Sequence, residues 1–481
     1  MSTSVSSSPG RPLHFAAFVQ NTPGHVVHGT WRRLTGRQAD ANDLRLWVEL
    51  ARTLERGTFD AIFFADIIGL YNAHKGGTRK FIQSGVGIPA NDPAALVSAL
   101  AYATEHLGIA YTSSILQEHP FSFARRISTL DHLTQGRVAW NIVTNTLSNA
   151  ARNFGYDDLT EHDERYRWAD EYVDVVYKLW EGSWEDDALV IDRENGVFND
   201  PDKVHRINHE GPRYRVEGPH LVSPSPQRSP FLFQAGASPA GRDFAARNAE
   251  AVFLTSANVE TIAEDAADFR RRAAAYGRDG SDIKLFQGLQ FVVASTDEEA
   301  RRKAAEIDEW IDGEAQLAQM GGVAGVDFGD FELDSPIGEV KAEGMQSIID
   351  WVNAGTKGRE ATVGDLGRFP RDRKPPGRVA RDHRRSARPM ARRGRGRHPR
   401  DEQRDPGHLQ RLRGLSHPRA ARARAGPEGV RAGNVAAEAV RSRPPAGDPS
   451  GRRIPRRLRR GPGRRLTSTA EQKRRTRHVH T

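Results

Sequence analysis

The chain changes character at Phe369: every Phe, Tyr and Trp lies at or before it, and the residues beyond are dominated by Arg, Pro, Gly and Ala. Only the part before the break can build a large apolar core. A segment with no aromatics and few branched apolar residues buries too little surface to offset the entropy of ordering it. Of the 71 Lys+Arg and 62 Asp+Glu in the chain, 34 and 9 fall in Arg371–Thr481. The body, residues 1–370, is therefore acidic, near −16, and the tail basic, near +25. The overall +9 and pI of 9.8 describe neither part and do not argue for nucleic-acid binding.

The expected organisation is a disordered N-terminus over 1–12, one globular domain over 13–369, and a disordered basic tail over 370–481. Two readings of the tail stand side by side. One is a natural basic arm that contacts nucleic acid or another acidic partner through its charge. The other is translation of a GC-rich gene in the wrong frame, since shifted GC-rich codons yield Arg, Pro, Ala and Gly. Permitted codons for Asp401–Leu412 (DEQRDPGHLQRL), read one nucleotide later, spell MNSATPGTYNDF. The same shift turns Arg413–Val440 into VDYLIPELRARGLVQKEYAPGTLRQKLF and Pro389–Arg400 (PMARRGRGRHPR) into RWRDAGVDGIHV. Sustained alternation of apolar and polar residues in the shifted text favours a frame error that begins shortly after Phe369.

The body contains no Cys, which excludes a disulfide framework, a thiol nucleophile and a Cys-metal site. The start, MSTSVSSSPG, lacks an apolar signal core, and no stretch approaches 18 uninterrupted apolar residues. A cytoplasmic protein without membrane contact is expected. Short apolar runs alternate with amphipathic helices, the pattern of a parallel sheet with crossover helices. The runs are Pro12–Val19, Asp60–Asp66, Leu107–Ile115, Arg137–Thr144, Pro230–Gly236, Ala251–Thr255 and Ile283–Ser295. Between the first two, Leu44, Trp47, Leu50 and Leu54 form a helical stripe that Gly57 stops. Trp47 and Trp180 read as core. The segment Asn145–Ser229 reads as an insertion over one end.

The expected fold class is α/β, a (β/α)8 barrel with insertions. Seven strands are visible where eight close the barrel, and the shifted frame supplies the missing one as GVDGIHVMN. An open gap leaves strand edges and core exposed. A product carrying the tail as written is expected to fold poorly or lack activity.

Polar residues stand at the strand ends, where a barrel of this kind builds its site. Asp66, Ser114, Asn141 and Thr144 close successive strands, and Gly236, Ala237 and Ser238 follow the fifth. The turn QAGASPAG offers backbone N–H groups and a Ser hydroxyl at a helix N-terminus, a place for phosphate or simply a structural βα turn. His162 and Tyr166 are i, i+4 and share a helical face. On spacing alone His162 reads as a surface helix residue and Asp66 as a site residue or an N-cap. GHVVHGTW puts His25, His28 and Trp31 after the first strand. His28 is the catalytic candidate there, able to hydrogen-bond substrate or cofactor; the competing reading is a packed or water-facing imidazole. No metal site is expected, because HVVH lacks a third ligand.

The segments ARTLERGTFDAIFFAD, ATEHLGIAYTSS, ISTLDHLTQGRVAWNIVT, NFGYDDLTEHDERYRWADEY, DKVHRINHEGPRYRVEGP and FLFQAGASPAGRDFAA resemble the flavin-dependent monooxygenases of the bacterial luciferase-like superfamily. The likeness is strongest to the group of nitrilotriacetate monooxygenase component A and dibenzothiophene sulfone monooxygenase. It covers the body up to Phe369, and the shifted tail resembles the family's ending. The resemblance implies a TIM barrel of the luciferase-like type. It also implies a two-component system, in which a separate NAD(P)H:flavin reductase supplies reduced FMN and this protein uses it with O2 to oxygenate a small organic substrate. Carried over, Asp66, Ser114 and Asn141 lie near the flavin ring and ribityl chain, and His162, Tyr166 and Ser238 reach the FMN phosphate. A homo-oligomer is implied as well. The alternatives are a nonfunctional truncated product, a nucleic-acid-binding protein acting through its tail, and, within the superfamily, a deazaflavin-dependent dehydrogenase.

Overall fold

The computed structural model describes residues 12–256, 258–339, 352, 356 and 359–367. The expectations of disorder over residues 1–11 and 370–481, and the frame-shifted eighth strand, lie outside the described residues.

All seven expected strands form, as β1 (Ala16–Gln20), β2 (Ala61–Ala65), β3 (Gly108–Ser114), β4 (Val138–Val143), β9 (Phe231–Gln234), β10 (Ala251–Leu254) and β11 (Lys284–Gln287). Two hairpins come between, β5 (Leu189–Asp192) with β6 (Val197–Asn199) and β7 (His209–Glu210) with β8 (Arg215–Val216). The seven strands make one sheet in chain order, β1-β2-β3-β4-β9-β10-β11, and every pairing is parallel. The helices are α1 (Leu44–Arg56), α2 (Arg79–Ser84), α3 (Ala94–Ala103), α4 (Pro120–Thr134), α5 (Ser148–Asn153), α6 (His162–Gly182), α7 (Pro239–Asn248), α8 (Val259–Ala275), α9 (Asp297–Asp308) and α10 (Gly313–Ala324).

Alternation along each strand sorts its side chains between two faces. Ile62, Phe64, Ile109, Tyr111, Trp140 and Leu232 join the core under the helices, where Trp47 and Trp180 are also buried. On the other face Phe63, Ala110, Ala139, Phe231, Phe233 and Ala251 pack together. Phe18 of β1 stacks on Phe63 at 5.4 Å and meets Phe253 of β10 at 4.7 Å. A contact between the first and sixth strands of the order requires the sheet to curl around its own interior. The fold is thus a (β/α)8-type barrel in which no strand among the described residues joins β1 to β11.

Two expectations are revised. The run predicted to continue as strand to Ser295 stops at Gln287, because its neighbour β10 ends at Leu254 and no described strand lies on its other side. The segment 145–229 is also not wholly an insertion. Its 21-residue helix α6 is a crossover helix that buries Tyr172, Val173, Val176 and Trp180 against α4 and β4, with Tyr172 at 5.9 Å from Trp140. What is additional is the short helix α5, the two hairpins and the turns around them.

At the N-terminal end of the strands two side chains clamp the turn between α3 and β3. Glu55 accepts the backbone N–H groups of Glu105, His106 and Leu107 at 2.8, 2.6 and 3.1 Å. Buried Arg137 donates to the carbonyls of Ala101, Leu107 and Thr134 at 2.9, 3.0 and 2.9 Å. Arg137→Met strips several buried carbonyls of their donor at once and is expected to cost about 3 kcal/mol in urea unfolding. A cost below about 1 kcal/mol contradicts this account of the clamp.

Candidate active site

The parallel order brings the C-terminal ends of all seven strands to one rim. On β2, β3 and β4 the inward side chains build a polar rung. Thr112 Oγ1 donates to the Phe64 carbonyl at 2.8 Å, and Asn141 Nδ2 donates to Thr112 Oγ1 at 2.8 Å. Both donations run one way, so Asn141 Oδ1 is left as a buried acceptor with no hydrogen-bond partner among the described residues. An orphaned acceptor calls for an N–H or O–H donor from a ligand. Ser114 ends β3 buried; its backbone N–H donates to Gln117 Oε1 at 2.6 Å, and its hydroxyl accepts from Leu116 N at 3.3 Å. Asp66 follows β2. Burial, with nearby Asp92 adding to it, pushes the Asp66 carboxyl up to about 7 despite a backbone N–H from Ile67.

A second group forms where α7 begins. Ser238 is the N-cap, its Oγ accepting from Gly241 N at 3.1 Å, and Pro239 at the first helical position has no N–H to satisfy. The Tyr166 hydroxyl presses into this turn: a Cβ at Gly236 would lie 2.8 Å from it, and one at Gly241 2.6 Å. Glycine is required at both positions for that approach. His162, one turn earlier on α6, sets its ring edge-on to Tyr166 at 5.3 Å. The structure therefore brings His162, Tyr166 and Ser238 together at a helix N-terminus, which favours an anion.

Arg165 belongs to the same helical face and was not singled out from the sequence. It is buried, donates to the Asn145 carbonyl at 2.7 Å, and its Nε has no partner among the described residues. Burial pulls its guanidinium below the ordinary value, and no ion pair to it occurs among the described residues. Tyr166 and Glu161 offset part of this cost from a distance, and a buried cation without a direct ion pair is stabilised further when an anion completes it. Its i, i+3 spacing from His162 was the available signal.

The loop after β1 closes the opposite side. His25 lies over Phe18 at 4.8 Å, and burial, helped by His28, lowers it to about 4, so its imidazole is neutral. His28 is 1% exposed and faces protein rather than an open mouth. Its Nε2 pairs with Gln319 Oε1 at 2.7 Å, its N–H donates to Gln316 Oε1 at 3.4 Å, and its carbonyl accepts from Asp312 N at 3.0 Å. Gly24 covers its Nδ1, since a Cβ there would be 3.2 Å away. These contacts tie the loop to α10, which α2 also holds through Lys80 to Asp312 and Glu314, each at 3.0 Å. Gln316 and Gln319 carried no sequence signal, because their partner is 288 or more residues away.

Asp66→Asn isolates the buried carboxyl. With its folded value raised, Asp66 holds its proton in the folded state after the unfolded chain has lost it, so it lowers stability as pH rises from about 4 to about 7. The asparagine variant is expected to gain about 2–4 kcal/mol relative to wild type between pH 4 and pH 8 in urea unfolding. A difference independent of pH contradicts the shift.

Residues 24–363 match the family described as luciferase-like monooxygenase. The long-chain alkane monooxygenase of Geobacillus thermodenitrificans (strain NG80-2) is 47% identical over 330 residues, covering 69% of this chain and 75% of that protein. The dimethyl-sulfide monooxygenase of Hyphomicrobium sulfonivorans is 44% identical over 350 residues, 73% of each. A solved riboflavin lyase with modified FMN and substrate riboflavin has 36% identity and a TM-score of 0.67 over 74% of this chain and 78% of that one.

Proposed function

The chain belongs to the luciferase-like monooxygenase family, and on that premise we propose that it binds reduced FMN delivered by a separate NAD(P)H-dependent reductase and oxygenates a small, uncharged organic substrate. The observation that carries the reading is the turn at α7, where Tyr166, Ser238 and two obligatory glycines cradle a helix N-terminus near a buried Arg165 that no described carboxylate ion-pairs directly. In this proposal His162, Tyr166 and Ser238 take the FMN phosphate. Asn141 Oδ1 accepts an N–H of the flavin ring, and Asp66 and Ser114 line the path between. Bound reduced flavin would supply the two electrons that let one atom of O2 enter the substrate while the other leaves as water.

The protein's own contribution is placement and dryness. α10, fastened through His28 and Lys80, covers the rim, and Tyr71, Phe81, Leu147, Ala315 and Ala318 form an apolar layer beneath it. His28 acts here by holding the loop that carries His25. The rim favours a neutral substrate: His25 is uncharged, and the cations near it, Lys75 and Lys80, are already paired with Glu314 and Asp312. This supports an alkane or organic sulfide over an aminopolycarboxylate.

Anaerobic titration with reduced FMN tests the phosphate assignment. Ser238→Ala and Tyr166→Phe are each expected to weaken binding about tenfold, equal to about 1.4 kcal/mol. Unchanged affinity in both variants refutes it. With a flavin reductase, NADH and O2, dimethyl sulfide or a linear alkane is expected to give oxygenated product and nitrilotriacetate none; the reverse preference overturns the substrate class.

A further inference from the structure

We propose that Arg213, in the turn of the β7–β8 hairpin, is a positioning residue for the cofactor phosphate: it braces the first turns of α6 from behind and so sets His162 and Tyr166 against Ser238. The inference rests on the flavin reading and adds to it a residue that acts through its neighbours.

The start of α6 emerges from solvent. Residues 152–158, which lead into it, are all exposed. His162 stands in the first turn, is exposed itself, and pairs with Asp163 of the same turn at 2.7 Å. The N–H groups of a first turn have no intrahelical acceptor, and helix ends open before helix centres do. The placement of His162 therefore has to come from contacts made by the residues just behind it.

The hairpin makes those contacts at three levels of the helix. The Arg213 guanidinium donates to Glu164 Oε1 at 2.6 Å and lies over the Trp168 ring at 4.5 Å. Its backbone N–H donates to the two carboxylate oxygens of Glu171 at 3.1 and 3.2 Å. Tyr214, the next residue, donates its N–H to Glu171 Oε1 at 2.9 Å, and its hydroxyl accepts from Trp168 Nε1 at 2.6 Å. The turn is shaped for this approach, since a Cβ at Gly211 would collide with the Glu171 carboxylate.

Residues 164, 168 and 171 share one face of α6, and 162, 166 and 170 share the opposite one. On that opposite face Tyr166 packs on Phe244 at 5.8 Å, and Asp170 pairs with Arg247 of α7 at 2.9 Å. Hairpin and α7 thus grip the helix from two sides. The hairpin's grip reaches the first turn through the pair of Arg213 with Glu164. Glu164 also pairs with Arg167, but both belong to α6, so that bond fixes the helix to nothing else.

The test compares wild type with Arg213→Gln and Glu164→Gln, which break one pair from either side, and with Arg213→Lys, which keeps the charge. Amide hydrogen exchange is read on the ligand-free proteins, and anaerobic titrations are run with reduced FMN and with reduced riboflavin, which lacks the phosphate. In both Gln variants exchange over 162–168 is expected to quicken about tenfold while 172–182 is unchanged. FMN binding is expected to weaken about tenfold in both, with riboflavin binding unaltered and part of the FMN affinity kept in Arg213→Lys. Glu164→Gln, a change of nearly equal shape at a half-exposed position, carries the test if Arg213→Gln does not fold. Were the two residues acting as charges on the phosphate, Arg213→Gln would weaken FMN binding and Glu164→Gln would strengthen it; opposite shifts therefore overturn the inference. Unchanged exchange, or equal loss of FMN and riboflavin, overturns it too. FMN binding that depends on Ser238 but not on Arg213 sinks this inference alone. A wild-type chain that binds FMN no better than riboflavin sinks the flavin reading with it.

Discussion

A parallel barrel depends on one constraint, that each strand be bonded on both sides. Among the described residues the constraint is met by five strands and fails at two, β1 and β11. Where it is met, the register does the positioning: Ala61 opposite Gly108, Ala110 opposite Ala139 and Asn141 opposite Phe233 stack the strands so that their carboxyl ends reach one rim. The interior phenylalanines fill the curl beneath. Where it fails, apolar side chains that the same alternation assigns to the inside stand in water.

Burial is what turns the rim into a chemical site. Asp66, His25 and Arg165 are ordinary side chains whose charged forms the surroundings disfavour, upward for the carboxyl and downward for the two bases. Around them the hydrogen bonding is uneven. The Phe64, Thr112, Asn141 relay is satisfied at one end and open at the other, and the α7 turn is shaped by a tyrosine hydroxyl that leaves room only for glycine. A donor and an anion, held at two parts of one rim, are what these features ask of a ligand.

Much of this was legible in the sequence, for identifiable reasons. Strands buried on both faces read as short apolar runs, so all seven were found, and α1 was found because Trp47 and Leu54 recur at helical spacing with Gly57 behind them. The end of β11 was not legible, because strand extent depends on neighbours rather than on LQFVV itself. The crossover role of α6 was hidden by its charged outer face, which made a barrel helix resemble an insertion. Within the site, strand-end polar residues announced themselves by position. The fastening of His28 by Gln319 did not, since it joins residues 291 apart in the chain. Nor did the raised Asp66, whose cause is burial that only the folded rim supplies.

The most direct measurement of the central claim is a crystal structure of the protein with FMN bound. The account predicts the phosphate within hydrogen-bonding distance of Ser238 Oγ and the Tyr166 hydroxyl, and the flavin ring donating to Asn141 Oδ1. A phosphate seated elsewhere, with the α7 turn empty, would contradict it.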